Sequence, residues 1–399
     1  MADSPWLTII GFGEDGADGL LPATRETLER AEIIMAPARH LGLLPPLSAR
    51  LIEWPVPFSA GVSDLLNLRG QNVVVLASGD PFWFGAGSVL ARHLDPGEWI
   101  AIPALPTVSL AASRLGWSIE TTLVMGLHAS PFSRLRPHFA PGARAILLLR
   151  DGDAVKDLAQ WLTDQGFGDT CLHVMEALGG PRERLRKCTA NSFDLAGVTH
   201  PVCAGIELAG DGSVIPVASG RPDALFDNDG QITKRPIRAL TLSALAPRAG
   251  ETLWDIGGGS GSIAIEWLLS HATTHAITIE QHPNRAARIR QNADRLGVDR
   301  LQIVTGTAPD ALRDLPLPDA VFIGGGLSAD LLNALRDCLR PGTRAVANAV
   351  TLESEATLAQ VQGMFGGDLL RIELAHAAPL GSRRGWQSAY PVVQWSVTL

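Results

Sequence analysis

One glycine-rich stretch in the second half of the chain carries residues suited to holding a polar ligand. An apolar segment, Leu253–Ile256, contains a single acid, Asp255, and is followed by glycine at 257, 258, 259 and 261. Glycine adopts backbone dihedrals that other residues avoid and lets the main chain approach a ligand closely. The amides that begin the next segment, a predicted helix over Ile263–Leu269, offer partial positive charge to a polar or anionic group. The stretch is therefore predicted to form a strand, a binding loop and a helix.

Two kinds of cofactor use such a loop, and the spacing of the glycines separates them. A dinucleotide fingerprint, G-x-G-x-x-G, started at Gly257 would place its third glycine on Ser262, and it leaves Asp255 unexplained. The next apolar segment ends in Glu280, an acid placed to accept hydrogen bonds from both ribose hydroxyls of either cofactor. The observed D-x-G-x-G-x-G spacing is typical of S-adenosylmethionine (SAM) methyltransferases, so SAM is the predicted cofactor. A glycine-rich turn without a ligand is the remaining alternative.

Length and composition limit the class of protein. With 399 residues, of which 46% are hydrophobic and 19% charged, the chain is predicted to form two globular domains. The four cysteines show no C-x-x-C spacing, no apolar run reaches membrane-spanning length and the start has no basic segment, so a reduced cytoplasmic setting is expected. A net charge of −8 argues against non-specific nucleic-acid binding. His271 and His275 have metal-ligand spacing without a third ligand, so no metal is expected.

Strands and helices are predicted to alternate on both sides of an irregular segment. Residues 216–231, rich in glycine, proline and aspartate, are predicted to link domains at 1–215 and 232–399. Alternation of this kind favours α/β folds with a mostly parallel sheet covered by helices on both sides. Two late segments, Leu369–Ala375 and Val392–Val397, would add edge strands, at least one of them antiparallel.

The predicted strands before the linker are Leu7–Gly11, Asn72–Ala77, Ala145–Leu149 and Pro201–Glu207, and those after it are Thr252–Ile256, Ala276–Glu280, Leu301–Thr305, Ala320–Ile323 and Arg344–Ala349. The predicted helices are Ala23–Ala31, Gly85–His93, Val108–Leu115, Ala154–Gln165, Ile263–Leu269, Arg285–Leu296 and Ala329–Leu339.

Two loops in the first half have the composition of ligand sites. Gly11 and Gly13 follow the first predicted strand within a loop rich in glycine and aspartate, a ligand-site position in open α/β sheets. A second apolar strand runs into Ser78-Gly-Asp-Pro81, then into aromatic residues and a helix. Because no Gly-Lys-Ser or Gly-Lys-Thr follows, the second loop is not a Walker-type phosphate loop.

These loops resemble those of a known family. Gly11-x-Gly13, Ser78–Pro81 and Leu127-His128 resemble the tetrapyrrole (precorrin) methylases, whose members bind SAM in a cleft between two α/β lobes. Leu178–Arg184 resembles the branch of that family that methylates precorrin at carbon 5. A two-lobed first domain is therefore expected. The SAM-binding residues that the resemblance implies in it are Gly11, Gly79, Asp80 and Pro81.

The second half resembles a partner enzyme, a carbon-15 methyltransferase and decarboxylase with a Rossmann-like class I SAM methyltransferase fold. The segments that carry this resemblance are Ile232–Arg238, Trp254–Gly261, Gly306–Ala311, Ala320–Gly326 and Ala347–Glu353. In order, the two halves resemble the bifunctional decarboxylating precorrin methyltransferases of cobalamin (vitamin B12) biosynthesis. The resemblance implies methylation of precorrin-6B at carbons 5 and 15 and decarboxylation of the ring-C (C12) acetate, giving precorrin-8. One SAM is expected in each domain.

The resemblance also implies site residues in the second half. The expected cofactor-binding residues are Thr233, Asp255, Gly257, Gly258, Gly259, Ser260, Gly261, Glu280 and Ala308. Apart from the resemblance, the basic residues Lys234, Arg238, Arg383 and Arg384 are candidates for binding the propionate and acetate groups of the substrate, because the arginine fork suits bidentate contact with carboxylates. Gly325 is the fifth expected substrate residue, because a glycine there leaves room for the methyl donor or for the acetate beside it. Thr233 has an alternative role as the N-cap of a helix over Arg235–Leu245.

Two residues of the first half are candidates for catalysis. His128 is a candidate for contact with substrate or for acid–base chemistry, and its alternative is a hydrogen bond to backbone. Asp80 is the second candidate, and its alternative is to cap the helix that follows.

Three classes of function compete at this stage. The first is the bifunctional tetrapyrrole enzyme, which would act on a small molecule, bind neither nucleic acid nor membrane, and form a homo-oligomer through its second domain. The second is a SAM-dependent RNA methyltransferase, which the acidic charge balance disfavours. The third is a binding protein with one half acting as a SAM sensor, which the intact glycines and Glu280 disfavour.

Overall fold

The computed structural model describes residues 5–399 and divides the chain into two compact units. The first unit runs to Pro131 and resumes over Ala140–Ser213, and the second contains Phe132–Phe139 and Val214–Leu399. The short segment Phe132–Phe139, expected in the first domain, therefore groups with the second unit. Within residues 5–399, no helix combines the length and apolar character needed to cross a membrane.

Two five-stranded sheets form the first unit. The first sheet consists of β1 (Leu7–Phe12), β2 (Ile33–Ala36), β3 (Arg50–Glu53), β4 (Val73–Ser78) and β5 (Trp99–Ile102). Its order is β3-β2-β4-β1-β5, and every pair is parallel. The helices that alternate with its strands are α1 (Pro22–Glu29), α2 (Ala38–Leu41), α3 (Phe58–Leu66) and α4 (Gly87–Leu90). The helix α5 (Thr107–Leu115) follows β5 but packs with Ile146 and Cys203 of the second sheet.

The second sheet of this unit is mixed. It consists of β6 (Leu123–Gly126), β7 (Arg144–Leu149), β8 (Cys171–Glu176), β9 (Arg184–Thr189) and β10 (Val202–Glu207), with α6 (Gly152–Asp164) between β7 and β8. Its order is β6-β7-β10-β8-β9, with β6 and β7 parallel and the other pairs antiparallel. Six strands of the unit, β2, β3, β5, β6, β8 and β9, are absent from the sequence predictions.

A seven-stranded sheet organises the second unit. Its strands are β11 (Thr252–Ile256), β12 (His275–Glu280), β13 (Gln302–Thr305), β14 (Ala320–Ile323), β15 (Arg344–Ala349), β16 (Asp368–Ile372) and β19 (Val392–Thr398), and a separate hairpin comprises β17 (Ala375–Leu380) and β18 (Arg383–Ser388). The order is β13-β12-β11-β14-β15-β19-β16. The first five strands are parallel, which confirms the prediction of a mostly parallel sheet. The strand β19 runs antiparallel to both of its neighbours, β15 and β16, so at least one late strand is antiparallel, as predicted. The prediction that both late strands lie at an edge is wrong for β19, because it lies between β15 and β16.

Helices bury both faces of this sheet, which is why its central strands are almost entirely apolar. They are α7 (Arg235–Leu245), α8 (Ser262–Leu268), α9 (Pro283–Arg295), α10 (Ala329–Cys338) and α11 (Leu352–Phe365). Residues of α7, α8 and α9 pack with Leu253 and Phe322 in one core. Residues of α10 and α11 pack with Trp254 and Val321 in the other.

Residues 216–231, predicted to link the two domains, are not a separate linker but pack into the second unit. Arg221 and Phe226 are 3% and 2% exposed, and Phe226 joins the core formed with α8. The buried carboxylate of Glu266 in α8 accepts the amide hydrogens of Gly220 at 2.8 Å and Arg221 at 2.9 Å. The backbone is irregular, as its composition indicates, but irregular backbone can be buried when its polar groups are paired.

Candidate functional sites

A cavity of about 460 Å³ opens in the first unit. The carboxyl ends of β1 and β4 and residues of β7, β8 and β10 line it. Much of the lining is apolar, including Val108, Met175 and Leu178, and the exposed aromatic rings of Trp83 and Phe84 stand beside it. Such a cavity suits a ligand with large apolar faces.

The predicted residues of the first half divide into two groups. Gly79 and His128 line the cavity, and His128 is exposed. Gly11, Asp80 and Pro81 are not among its lining residues and instead shape the neighbouring loop. The Asp80 carboxylate accepts the amide hydrogen of Phe82 at 2.8 Å, and the next helix, α4, begins only at Gly87. Asp80 therefore closes a turn rather than capping that helix.

Gly11 and Gly79 permit close packing of backbone on backbone. A Cβ at Gly11 would lie 2.0 Å from the carbonyl oxygen of Gly79 and 2.4 Å from the amide nitrogen of Ala104. A Cβ at Gly79, where φ is +57°, would lie 2.8 Å from Cα of Pro106. Only glycine tolerates this conformation and these contacts readily, so both residues hold the cavity's edge in shape.

An ionic cluster at the cavity was missed by the sequence analysis. The buried carboxylate of Glu14 pairs with Arg39 and, at 2.9 Å, with Arg182. Arg39 also donates to the Ser78 hydroxyl at 2.9 Å and contacts the His40 ring nitrogen Nε2 at 2.9 Å. Two guanidiniums against one carboxylate leave net positive charge, and Arg39 lines the cavity. This end of the cavity is therefore suited to a carboxylate.

His40 stays neutral within that cluster. Burial, helped by the positive charge of Arg39, lowers its pKa to about 3. A neutral imidazole can accept the hydrogen bond that Arg39 offers. His40 is fully buried, so its role here is to orient the guanidinium that faces the cavity.

The glycine loop of the second unit lies at the carboxyl edge of the sheet, as predicted. Gly257 and Gly261 have φ of +78° and +76°, and α8 follows directly. A Cβ at Gly257 would lie 2.7 Å from the amide nitrogen of Gly325, so the loops after β11 and β14 touch through their backbones. A Cβ at Gly258 would lie 2.2 Å from Cγ2 of Thr278. Ligands of open α/β sheets bind at this edge.

Glu280 and Asp255 differ in what their carboxylates contact. Glu280, at the end of β12, accepts the amide hydrogen of Gly259 at 2.9 Å and that of His282 at 3.0 Å. Asp255 is 1% exposed and accepts a hydrogen bond from the Thr278 hydroxyl at 3.3 Å. Burial raises the pKa of Asp255 to about 7. Glu280 therefore stands beside the loop's backbone, and Asp255 supports the loop from inside.

The remaining predicted cofactor residues are Ser260, which belongs to the loop itself, and Ala308 and Thr233, which lie on other segments of the second unit. Ser260 is buried, and its carbonyl accepts a hydrogen bond from Asn292 at 3.0 Å. Ala308 is half-buried and follows β13. Thr233 is half-buried and is not a helix cap, because the N-cap of α7 is Lys234. The alternative role for Thr233 is therefore wrong.

Arg238 is a correction to the predicted substrate site. Its side chain is fully buried, and Nε donates to Glu266 at 2.6 Å while Nη2 pairs with Asp223 at 3.0 Å. Its guanidinium also lies 4.7 Å from the Phe226 ring centroid. A buried arginine with these partners cannot reach a ligand, and it joins α7, α8 and the 216–231 segment instead.

The other predicted substrate residues are accessible. Lys234 is exposed at the start of α7, and Arg383 and Arg384 are exposed on β18. Gly325 lies against Gly257, as described above. Among residues 5–399 the structure brings together no group of three metal-ligating side chains.

Comparison with known proteins gives the class first. Residues 7–194 match the family described as Tetrapyrrole (Corrin/Porphyrin) Methylases, and residues 224–399 match the family described as Precorrin methyltransferase domain. The chain is therefore a methyltransferase built from two such parts.

Relatives that match over the whole length define the family. A Sinorhizobium protein named precorrin-6Y C(5,15)-methyltransferase [decarboxylating] is 50% identical over 99% of this chain and 97% of its own, and a Mycobacterium tuberculosis protein of the same name is 41% identical over 98% and 99%. A solved structure is similar to part of the chain. It is the crystal structure of the C-terminal domain of the Rhodobacter capsulatus precorrin-6Y C5,15-methyltransferase, whose sequence is 56% identical over 46% of this chain and 100% of the solved chain, with a TM-score of 0.45. The chain belongs to the family of decarboxylating precorrin-6Y C(5,15)-methyltransferases. These relatives give no support to an RNA methyltransferase.

Proposed function

We propose that this protein is a bifunctional SAM-dependent enzyme of cobalamin biosynthesis that methylates a precorrin at carbons 5 and 15 and decarboxylates its ring-C acetate. The substrate is proposed to be precorrin-6B and the product precorrin-8. The observation that carries the proposal is the match to a decarboxylating C(5,15)-methyltransferase over 99% of the chain. The same proposal assigns carbon 5 to the first unit and carbon 15, with decarboxylation, to the second. It includes a cytoplasmic location and a homo-oligomer formed through the second unit.

The second unit has a cradle that fits SAM. Its glycine loop offers backbone at positions where a Cβ would collide with Gly325 or Thr278. Glu280 is the residue proposed to hold the ribose hydroxyls, because a carboxylate that accepts two amide hydrogens still has lone pairs to spare. When bound, SAM supplies an electrophilic methyl group. The residues around it have to hold donor and acceptor in line and exclude water.

The first unit is proposed to hold its own SAM and the ring in the cavity described above. Its apolar lining suits the faces of a macrocycle, and Arg39 suits one of the carboxylates that a precorrin or a methionine group carries. Glu14, Arg182 and His40 fix the direction of the Arg39 guanidinium. His128 and Asp80 are proposed to contact the substrate or assist proton transfer, with Gly11, Gly79 and Pro81 shaping the cofactor loop.

Decarboxylation in the second unit requires an oriented acetate rather than a strong base. When the acetate loses carbon dioxide, the electron pair of the broken bond is left on the ring side chain, where the neighbouring conjugated imine accepts it. The exposed cations Lys234, Arg383 and Arg384 are proposed to bind the ring's carboxylates, with Gly325 leaving room beside them. The function of these residues is to present the acetate in its ionised form and in a fixed direction.

Selective loss of one activity tests the assignment of the two units. Full-length protein is incubated with precorrin substrate and SAM labelled in the methyl group, and methylation at each carbon and carbon dioxide release are measured. Glu280→Ala is expected to abolish methylation at carbon 15 while methylation at carbon 5 continues. Arg39→Met is expected to impair methylation at carbon 5 and to leave carbon-15 chemistry intact on substrate already methylated at carbon 5.

Two exposed residues supply matched controls. Glu373→Ala removes an exposed acid from the second unit, and Arg50→Met removes an exposed arginine from the first, so both variants should retain both activities. Loss of methylation at carbon 5 in Glu280→Ala, with carbon 15 unaffected, would reverse the assignment. Methyl transfer to RNA but not to a tetrapyrrole would refute the proposed function.

A further inference from the structure

The segment Asp227–Gln231, which we call the strap, lies directly against the glycine loop of the second unit. A Cβ at Gly259 would lie 3.0 Å from the carbonyl oxygen of Gln231. The amide of the same Gly259 donates to the Glu280 carboxylate at 2.9 Å. Gly259 therefore has the strap as one neighbour and the acid proposed to bind ribose as another.

The strap is a closely turned segment with its own hydrogen bonds. The Asn228 side-chain oxygen accepts the amide hydrogen of Gly230 at 3.1 Å, and Asp229 accepts that of Gln231 at 3.2 Å. Gly230 has φ of +94°, a conformation that favours glycine. These bonds give the strap a defined shape beside the loop.

Asn292 of α9 joins the strap to the glycine loop. Its side chain is 1% exposed. The amide nitrogen Nδ2 donates to the carbonyl oxygens of Asp227 at 2.9 Å and Ser260 at 3.0 Å, and the oxygen Oδ1 accepts the amide hydrogen of Asp227 at 2.9 Å. Both donors of the carboxamide are therefore used, one on the strap and one on the loop. A single buried side chain sets the spacing between the two.

Two arginines of α9 fix the tip of the strap. The Asp229 carboxylate pairs with Arg285 at 2.9 Å and with Arg288 at 3.2 Å. The hydrogen bond from Arg285, together with Arg288, holds the pKa of Asp229 well below its usual range. The tip is thus tied to the helix that also carries Asn292.

We propose that the strap forms one wall of the SAM site of the second unit and that Asn292 is a positioning residue that sets SAM affinity there. This rests on the proposed function, because it needs SAM to bind at the glycine loop. Without Asn292 the hydrogen bonds that join the strap to Ser260 are lost. SAM binding must then order the two segments, and the entropy lost in ordering them lowers the affinity for SAM. Because Asn292 is 1% exposed and its carboxamide bonds to backbone, it acts on affinity through the segments that it joins, and the rate at saturating SAM is expected not to depend on it.

The test compares two neighbouring positions of α9 in the full-length protein. Asn292→Leu removes the hydrogen bonds at similar size, and Gln291→Leu makes the corresponding change at an exposed position. The measurement is the dependence of carbon-15 methylation on SAM concentration, with precorrin saturating. Asn292→Leu is expected to raise the KM for SAM about tenfold or more, with kcat within about twofold of wild type. Gln291→Leu is expected to behave as wild type.

A second pair of variants serves if Asn292→Leu does not fold. Asp229→Asn weakens only the tip of the strap, and Asp294→Asn changes a half-buried acid of α9 that pairs with Arg290 at 3.3 Å rather than with the strap. The KM for SAM is expected to rise several-fold in the first and to stay unchanged in the second. An unchanged KM in both Asn292→Leu and Asp229→Asn, or a loss of kcat without a change in KM, would overturn the role of the strap alone. Wild-type protein that transfers no methyl group from SAM to carbon 15 would overturn this role and the proposed function together.

Discussion

Asp255 illustrates how one residue of the glycine motif acts without reaching the ligand. Asp255 is 1% exposed, and burial raises the pKa of its carboxyl group to about 7 from an ordinary value of 3.8. It contacts the Thr278 hydroxyl, and a Cβ at Gly258 would collide with the methyl group of that same threonine. The Asp255 carboxyl group therefore packs beneath the glycine loop and stabilises it, although from the sequence Asp255 is expected to contact the cofactor.

Replacing Asp255 should change how stability depends on pH. Because the pKa is raised on folding, the folded protein keeps a proton that the unfolded chain releases between pH 3.8 and about 7. The stabilisation is present below the lower value and is lost as the pH rises towards the higher one, by on the order of 4 kcal/mol. The free energy of unfolding of Asp255→Asn, measured with urea, should therefore improve relative to wild type across this range. If the difference in free energy of unfolding between Asp255→Asn and wild type did not change with pH, the pKa of Asp255 would be the same in the folded and unfolded protein.

Replacing glycine by alanine should have opposite effects on stability at two positions of the second unit. At Gly257 a Cβ would lie 2.7 Å from the Gly325 backbone and φ is +78°, so Gly257→Ala is expected to abolish SAM binding by the second unit and to lower stability. At Gly363, inside α11, a Cβ meets nothing within 4 Å, so Gly363→Ala should stabilise by about 0.5–1 kcal/mol. Calorimetric titration with SAM and thermal unfolding measure both effects. Equal SAM affinity in the two variants would contradict the close packing at Gly257.

Sequence spacing reveals some of these residues and hides others for a physical reason. The glycine loop and Glu280 are recognisable because a strand, its loop and the next strand are contiguous in the chain. Glu14 and its partners Arg39 and Arg182 are 25 and 168 positions apart. Only the fold brings them together, so no local pattern indicates the cluster. Arg238 was misassigned because an arginine beside a predicted site looks the same in sequence whether it is buried or exposed.

At the scale of elements, strands with a local apolar pattern are predicted from the sequence, and strands whose composition depends on a partner strand are not. The bounds of β11, β14 and β15 are predicted as observed, because these strands lie between helices and carry mostly apolar residues. The strand β9 (Arg184–Thr189) contains four charged or polar side chains in six residues and gives no apolar signal. Its Arg184 and Arg186 pair with the buried Glu176 of β8, each at 2.9 Å, so the partner strand explains its composition.

The ionic cluster around Glu266 should be essential for the packing of α7 and α8. Arg238→Met leaves the buried carboxylate with one guanidinium, that of Arg221, and is expected to lower stability by about 3–5 kcal/mol. Arg248→Met, at an exposed arginine, should have little effect. Chemical unfolding monitored by tryptophan fluorescence measures both. A raised KM for precorrin in Arg238→Met at unchanged stability would instead restore Arg238 to the substrate site.

At the scale of the whole molecule, the chain combines two α/β units whose sites are built differently. The first uses a cavity with an arginine cluster, and the second uses the carboxyl edge of a parallel sheet with a glycine loop. The absence of a repeated motif between them is consistent with two reactions on one kind of substrate. Each unit is expected to deliver one methyl group.

The ratio of methyl groups transferred to carbon dioxide released is the decisive measurement of whether one chain carries both activities. Full-length protein is given precorrin-6B labelled in the ring-C acetate carboxyl and SAM labelled in the methyl group, and both labels are followed to completion. Two methyl groups are expected to be incorporated for each carbon dioxide released. One methyl group per ring, or complete methylation with the acetate retained, would contradict the presence of both activities in this chain.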